Sequence, residues 1–256
     1  METTVSLNTD LPDGARIVGV NIKNGVLKVT YIIPESERLS PEELGFKRIE
    51  TGDLRPEEFL GYNTFSLAQR RLKEQIIKAI YNNKKKGFYV PLYEPTSLNG
   101  KLQFVSGLLP NVSSNVNHWQ KLATDFCPTY NSRLANIDEY YLLLARLLKD
   151  KKMVFSERDC LQQIADDSSM LGNYWNTFQS SRKIEPTGHR HMGLEIWGFV
   201  GNTFKVLLNP DGFYYAGGCY LNCGDEYPLA SVKPISEIPE GMKEYAVGLV
   251  VLEDCY

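Results

Sequence analysis

Four side chains in the last third of the sequence have types that bind a soft metal. His189 and His191 flank Arg190, and Cys219 and Cys223 follow downstream. Two imidazoles and two thiolates would complete a tetrahedral zinc site, but such sites usually draw their ligands from tight knuckles. If residues 219–223 are extended, the two thiols share a face yet stand about 13 Å apart, too far for one ion. The metal site therefore depends on Asn222, Cys223 and Gly224 turning the chain back on itself.

Other chemistry is thinner. Cys127 follows His118 and Asp125, but no family-type nucleophile sequence surrounds it, and it reads as a structural thiol. The chain contains neither G-x-x-x-x-G-K-[ST] nor a G-x-G-x-x-G after a strand, so a phosphate cradle is not expected. Asp166-Asp167 and Asp225-Glu226 do not match the ligand spacing of an EF-hand loop and read as solvated carboxylates. No catalytic residue and no cofactor are expected.

Contacts are the better-supported use of the side chains. Tyr174, Trp175, Trp197, Phe213, Tyr214, Tyr215 and Tyr220 concentrate near the C-terminal strands, and Trp and Tyr are enriched at recognition surfaces. Trp197 and Phe213 are expected in the core, and Tyr174, Trp175 and Tyr215 as contacts for a partner, a glycan or a host surface. A basic helix carries Arg70, Arg71, Lys73 and Lys78, with Lys84, Lys85 and Lys86 behind it and only Glu74 opposing. Such a run is first a solvated face whose basic end suits the helix dipole. Its alternative use is docking to an acidic partner through Arg70, Arg71 and Lys78.

These groups must be positioned by local elements that the sequence marks. In residues 16–33, RIVGVNIKNGVLKVTYII, a loop at Asn24-Gly25 would pair Ile22 with Leu27, Val20 with Val29 and Val18 with Tyr31. Residues 34–62 are rich in Pro, Glu and Gly and read as connector, with short helical turns after Ser40 and Arg55. Phe65, Ala68, Leu72, Ile76, Ala79 and Ile80 recur at helical steps, with Thr64 or Asn63 as cap. Asn99-Gly100 could close a hairpin with Leu102, Phe104 and Leu108 inward.

Asn136 and Glu139 have capping-box spacing at the head of a largely apolar, hence buried, helix. Ser156 to Asp159 repeats that logic for a shorter helix burying Leu161, Ile164 and Ala165. Residues 193–220 read as a three-stranded meander with turns at Gly201-Asn202 and at residues 209–212, in which Phe199 faces Phe204, Trp197 faces Val206 and Leu208 faces Phe213. Residues 245–252 read as a buried strand.

Bulk composition excludes the unusual classes. With 43% hydrophobic and 23% charged residues, neither disorder, collagen nor a coiled coil is expected. Five cysteines at irregular spacing, behind an N-terminus without a basic start and apolar run, suggest reduced thiols rather than a disulfide framework. The Asn111 glycosylation triplet is accordingly discounted. A net charge of −3 points to neither nucleic acid nor an acidic membrane, and the apolar run ending at Leu148 is interrupted by Arg146 and too short to span a bilayer.

The helix at Glu139-Tyr140-Tyr141, the Tyr174-Trp175 pair, the turn Gly217-Gly218-Cys219-Tyr220 and the closing strand at residues 247–251 together resemble the formylglycine-generating-enzyme and C-type-lectin-like modules of phage and bacterial surface proteins. The chain lacks the Pro-Val and Trp-rich sequences that precede the first helix in the enzymes, and a catalytic cysteine pair. The resemblance therefore implies a binding or structural module rather than the enzymes' chemistry.

The expected fold is α+β, with an N-terminal β-hairpin and helix and a C-terminal mixed domain holding two helices and an antiparallel, lectin-like sheet. The expected segments are 1–62 (arm, hairpin and connector), 63–130 (helix and short strands) and 131–256 (α+β module). The expected function is a non-enzymatic structural or adhesive subunit of a tailed-phage virion, synthesised in a bacterial cytoplasm and contacting other protein subunits, copies of itself included. A Cys/His-dependent or zinc enzyme and a cytosolic adaptor docking through the basic helix are the alternatives.

Overall fold

The computed structural model describes residues 2–6, 16–23, 26–32, 39–98, 101–150, 157–168, 172–176, 183–188 and 200–253. It is an α+β structure with several mainly antiparallel sheets. Strand β1 (Glu2–Ser6) pairs with β3 (Val26–Ile32), which pairs in turn with β2 (Arg16–Lys23), giving the order β1-β3-β2. The expected pairs Ile22 with Leu27 and Val20 with Val29 are present. Val18 does not face Tyr31, because the register shifts between Ile17 and Gly19 and places Ile17 opposite Tyr31. Residues 24–25, the expected loop, lie outside the described residues. Ile17 and Val29 tie this sheet to Val105 on the main body.

The connector is more ordered than its composition suggests. Ser40 and Glu43 cap each other reciprocally across the first expected turn. Strand β4 (Phe46–Glu50) and helix α1 (Pro56–Leu60) follow, the latter starting after Arg55 as expected. Helix α2 (Leu67–Asn82) begins later than expected. Its cap is Ser66, whose hydroxyl accepts from the Gln69 amide at 3.0 Å, rather than Asn63 or Thr64. Phe65 consequently precedes the helix and is 64% exposed, while Leu72, Ile76, Ala79 and Ile80 are buried as their spacing requires.

Strand β5 (Gly87–Pro91) leads to β6 (Thr96–Leu98) and β7 (Lys101–Gln103), which pair antiparallel, while residues 99–100, the expected turn, lie outside the described residues. Helix α3 (Val116–Phe126) is capped by Asn115, and β8 (Arg133–Leu134) precedes α4 (Ile137–Asp150). At the head of α4 the Asn136 side chain accepts from the Glu139 amide at 2.8 Å and the Glu139 carboxylate accepts from the Asn136 amide at 3.0 Å, the expected reciprocal box. Helix α5 (Glu157–Ala165) buries Leu161, Ile164 and Ala165.

Strands β9 (Phe204–Asn209) and β10 (Gly212–Ala216) form a hairpin with Leu208 opposite Phe213, as expected. The strand expected before β9 is another matter. Residues 193–199, with Trp197 and Phe199, lie outside the described residues. The edge of β9 they were to occupy is taken by β12 (Ala246–Gly248), which runs parallel to it and sets Ala246 opposite Phe204 and Gly248 opposite Val206. Strand β11 (Val232–Pro234), helix α6 (Glu240–Lys243) and β13 (Val250–Glu253) complete the chain. The sheets are thus β11-β10-β9-β12 and β4-β5-β13-β8. The second draws strands from all three expected segments.

Alternation along the central strands builds two cores. Val250 and Leu252 of β13 and Phe204 and Val206 of β9 pack with Trp119 and Ala123 of α3. Val251 and Leu207, one residue out of phase, pack with α2, α4 and α5 on the other side. A strand buried on both faces reads as a continuous apolar run, which is why residues 245–252 look like strand without polar alternation. Gly248 breaks that run in two, and a Cβ there would lie 2.9 Å from both Trp119 and Leu134.

Candidate functional site

The densest constellation of chemistry-bearing side chains is buried. After β5 the chain turns inward and places Glu94 beside the start of β9, where Asn202, Thr203 and Lys205 meet it. All four are under 4% exposed. Oε1 of Glu94 accepts from Lys205 Nζ at 2.8 Å and from Thr203 Oγ1 at 2.5 Å, and Oε2 accepts from Asn202 Nδ2 at 2.7 Å. Lys205 Nζ also donates to the Thr203 carbonyl at 2.7 Å and to Thr203 Oγ1 at 3.1 Å.

A further shell holds this cluster. Asn202 Oδ1 accepts from the Glu185 amide at 2.8 Å and from Asn173 Nδ2 at 3.1 Å. Its amide also donates to the Glu185 carbonyl at 3.1 Å. Burial pulls the Lys205 pKa below its ordinary value, against the opposing pull of Glu94. An ion pair taken out of water must be compensated by its hydrogen bonds, and here both carboxylate oxygens and the ammonium are supplied. The arrangement can hold the β5–β6 connection against β9 and can pass protons within itself. Sealed as it is, it does not present itself to an external substrate.

The thiols lie alongside. Residues 219–227 turn back, with the Asn222 amide donating to the Cys219 carbonyl at 2.9 Å and the Tyr227 amide to the Cys223 carbonyl at 3.2 Å. The turn that the zinc reading required is therefore present. Cys219 is fully buried, and burial pushes its thiol up to about 11, so that it rests as the neutral thiol. Cys223 is half-buried and also raised, by burial and by Glu226, Asp225 and Asp167. His189 and His191 lie outside the described residues. Among the described residues no group of three His, Cys, Asp or Glu side chains is arranged to hold a metal ion. Cys127, Cys219 and Cys223 are free thiols.

Two of the three expected aromatic contacts are core residues. The Tyr174 ring lies between the backbones of Gly201 and Gly218, where an added Cβ would come within 2.5 Å and 2.7 Å of it. Its hydroxyl donates to the Tyr227 carbonyl at 3.0 Å. Gly201 has φ +66, a conformation that side chains resist, so glycine serves both the turn and the close approach. Tyr215 is likewise buried, donating to the Lys243 carbonyl at 3.0 Å, and burial pushes its pKa up to about 12. Neither can contact a partner in this fold. Trp175 does reach solvent at 45% exposure, with its amide bonded to the Asn222 carbonyl at 2.8 Å.

Arg70, Arg71 and Lys78 are exposed on α2, as the basic face requires. Lys73 is turned to structural use, donating to the Leu60 and Tyr62 carbonyls at 2.6 Å and 3.1 Å. Leu60, Phe65 and Leu67 are exposed around the corner between α1 and α2, at the head of this helix.

Glu94, Asn202, Thr203 and Lys205 were not among the expected site residues. The available signal was Lys205 itself, a lysine set between Phe204 and Val206 in an apolar run. A run buried on both faces leaves no solvent side for it, so it needs an acidic partner. That the partner is Glu94 follows only from the tertiary structure. Comparison of the chain with protein-family models, with curated proteins and with solved structures gave no match.

Proposed function

We propose that the protein is a non-enzymatic structural or adhesive subunit of a large assembly, of the kind found in a tailed-phage particle. In this reading it associates with other subunits, copies of itself first, through its N-terminal sheet. The observation that carries the reading is the order β1-β3-β2: among the described residues, neither β1 nor β2 has a further strand on its outer edge. Unpaired edges are templates for strand addition by another chain. A three-stranded sheet held to the main body, among the described residues, by the small cluster of Ile17, Val20, Val29, Val105 and Leu108 is well placed to reach a neighbour.

Deletion of residues 1–32 tests this. The truncated chain should keep the helical signal of its far-UV circular dichroism, since the two main cores contain none of these residues. It should lose self-association. A truncated chain that associates as the full one does would remove the N-terminal sheet from the account.

A second reading rests on the exposed Arg70, Arg71 and Lys78 near exposed Phe65 and Leu67. This corner of α2 would dock an acidic, apolar-faced protein, and the complex would weaken steeply with added salt. Salt-independent binding of such a partner would count against it.

A further inference from the structure

We propose that Lys205 and Glu94 are the two halves of an autocatalytic isopeptide cross-link, closing an amide between Nζ and Cδ in the buried centre of the folded chain. The inference is independent of the assembly role. It rests on four groups that stand where the condensation of an amine with a carboxylic acid needs them. The nucleophile, Lys205 Nζ, is hydrogen-bonded to the carboxyl group it would attack, at 2.8 Å from Oε1. A donor for the developing oxyanion, Asn202 Nδ2, is already 2.7 Å from Oε2. A proton relay, Thr203 Oγ1, accepts from Nζ at 3.1 Å and donates to Oε1 at 2.5 Å. Burial excludes the water that would otherwise compete, and it holds the reacting groups together.

The step balances without any other reactant. The Lys205 ammonium gives one proton to the Glu94 carboxylate at Oε1, leaving a neutral amine and a carboxylic acid. The Nζ lone pair attacks Cδ and forms the N–C bond, while the electron pair of the C–Oε2 double bond moves onto Oε2, facing Asn202. One Nζ proton passes to Thr203 Oγ1, which hands its own proton to the Oε1 hydroxyl. The C–Oε1 bond then breaks and water leaves with that oxygen. The carbonyl re-forms at Oε2, and the last Nζ proton becomes the amide N–H. Nothing is oxidised or reduced. Burial lowers the pKa of Lys205, which favours the neutral amine the attack requires.

The cross-link would join the segment following β5 to β9, and so tie the two four-stranded sheets covalently. Within the cluster, Lys205 and Glu94 are the reacting groups, and Asn202 and Thr203 touch the reacting atoms.

The test is the intact mass of the full chain, folded, incubated and then unfolded under reducing conditions. The expected mass is lower than the sequence mass by one water, in a fraction that grows with time in the folded state. A protease digest should contain a branched peptide joining the segment with Glu94 to the segment with Lys205. Thr203→Val preserves shape and removes the relay, and should slow the loss of water by about 100-fold. Lys205→Arg, folded by circular dichroism, should retain the full mass. A wild-type chain that keeps its full sequence mass after prolonged incubation overturns the proposal without recourse to any variant. So does a water loss that maps elsewhere, for instance to a succinimide at Asp211-Gly212 that hydroxylamine opens.

Discussion

At the scale of residues, stability is concentrated where polarity is buried. Lys205→Met would leave the Glu94 carboxylate in the core without its cation, and removing one member of a buried pair costs about 3–5 kcal/mol. Urea unfolding should show a midpoint lowered accordingly. An unchanged midpoint would mean that water reaches the pair. Gly201→Ala is a second sensitive position, since its Cβ would enter the Tyr174 ring and its φ of +66 resists a side chain. We expect a loss of about 1–3 kcal/mol from overpacking, read by the same titration.

Residue chemistry was legible only in part. The apolar flanks of Lys205 were visible, but Glu94 precedes it by 111 positions and sits in a loop without pattern. Tyr174 and Tyr215 looked like contacts because aromatic type says nothing about which aromatic residues are roofed over. Their neighbours Gly201, Gly218 and Lys243 decide that, and two of those three come from other loops.

At the scale of elements, α4 is the hub, buried almost all round and held at its head by the Asn136–Glu139 box. Asn136→Ala should cost about 1 kcal/mol, measurable as a lowered unfolding midpoint with unchanged slope. The same Glu139 joins Arg133 and Glu253 in a network, with Arg133 Nη2 at 2.6 Å from Glu139 and 3.2 Å from Glu253. Lys85 adds a contact to Glu253 at 2.8 Å. Partial burial raises the Glu253 pKa, but the hydrogen bond from Lys85 and the nearby cations outweigh it and hold the carboxyl down to about 2.

A carboxylate with a depressed folded pKa stabilises the fold above its unfolded value, here 4.5, and that contribution is lost as pH falls towards 2. Glu253→Gln should therefore flatten the acid limb of stability against pH in that window and leave the slope above it unchanged. A wild-type limb retained in the variant would assign acid lability elsewhere.

The elements that were legible are the local ones: the β2–β3 hairpin, α2, α4 and α5 announce themselves by turn chemistry, spacing and caps. Helix α3 was not expected from the sequence, although Val116, Trp119, Ala123 and Phe126 fall on one stripe behind Asn115 as cap. Strand β4 carries no such signal. Its buried residues are Phe46 and Ile49, three apart, which breaks the two-residue alternation by which a strand is read.

At the scale of the whole molecule, the pairing that makes the fold is non-local. Strand β13 enters between β5 and β8, and β12 takes the edge of β9. Neither pairing has a sequence signature, because an apolar strand buried on both faces accepts many neighbours. Strands from all three expected segments accordingly meet in one sheet. Among the described residues no helix is long and apolar enough to cross a membrane.

The central claim concerns what the outer edges of β1 and β2, which pair with no further strand among the described residues, are for, and the native mass of the purified full chain by light scattering, across a range of concentrations, tests it most directly. The account predicts a defined oligomer that persists on dilution and dissociates when residues 1–32 are removed. A monomer at every concentration would contradict it, and would leave the exposed corner at Phe65, Leu67 and Arg70 as the surface to pursue.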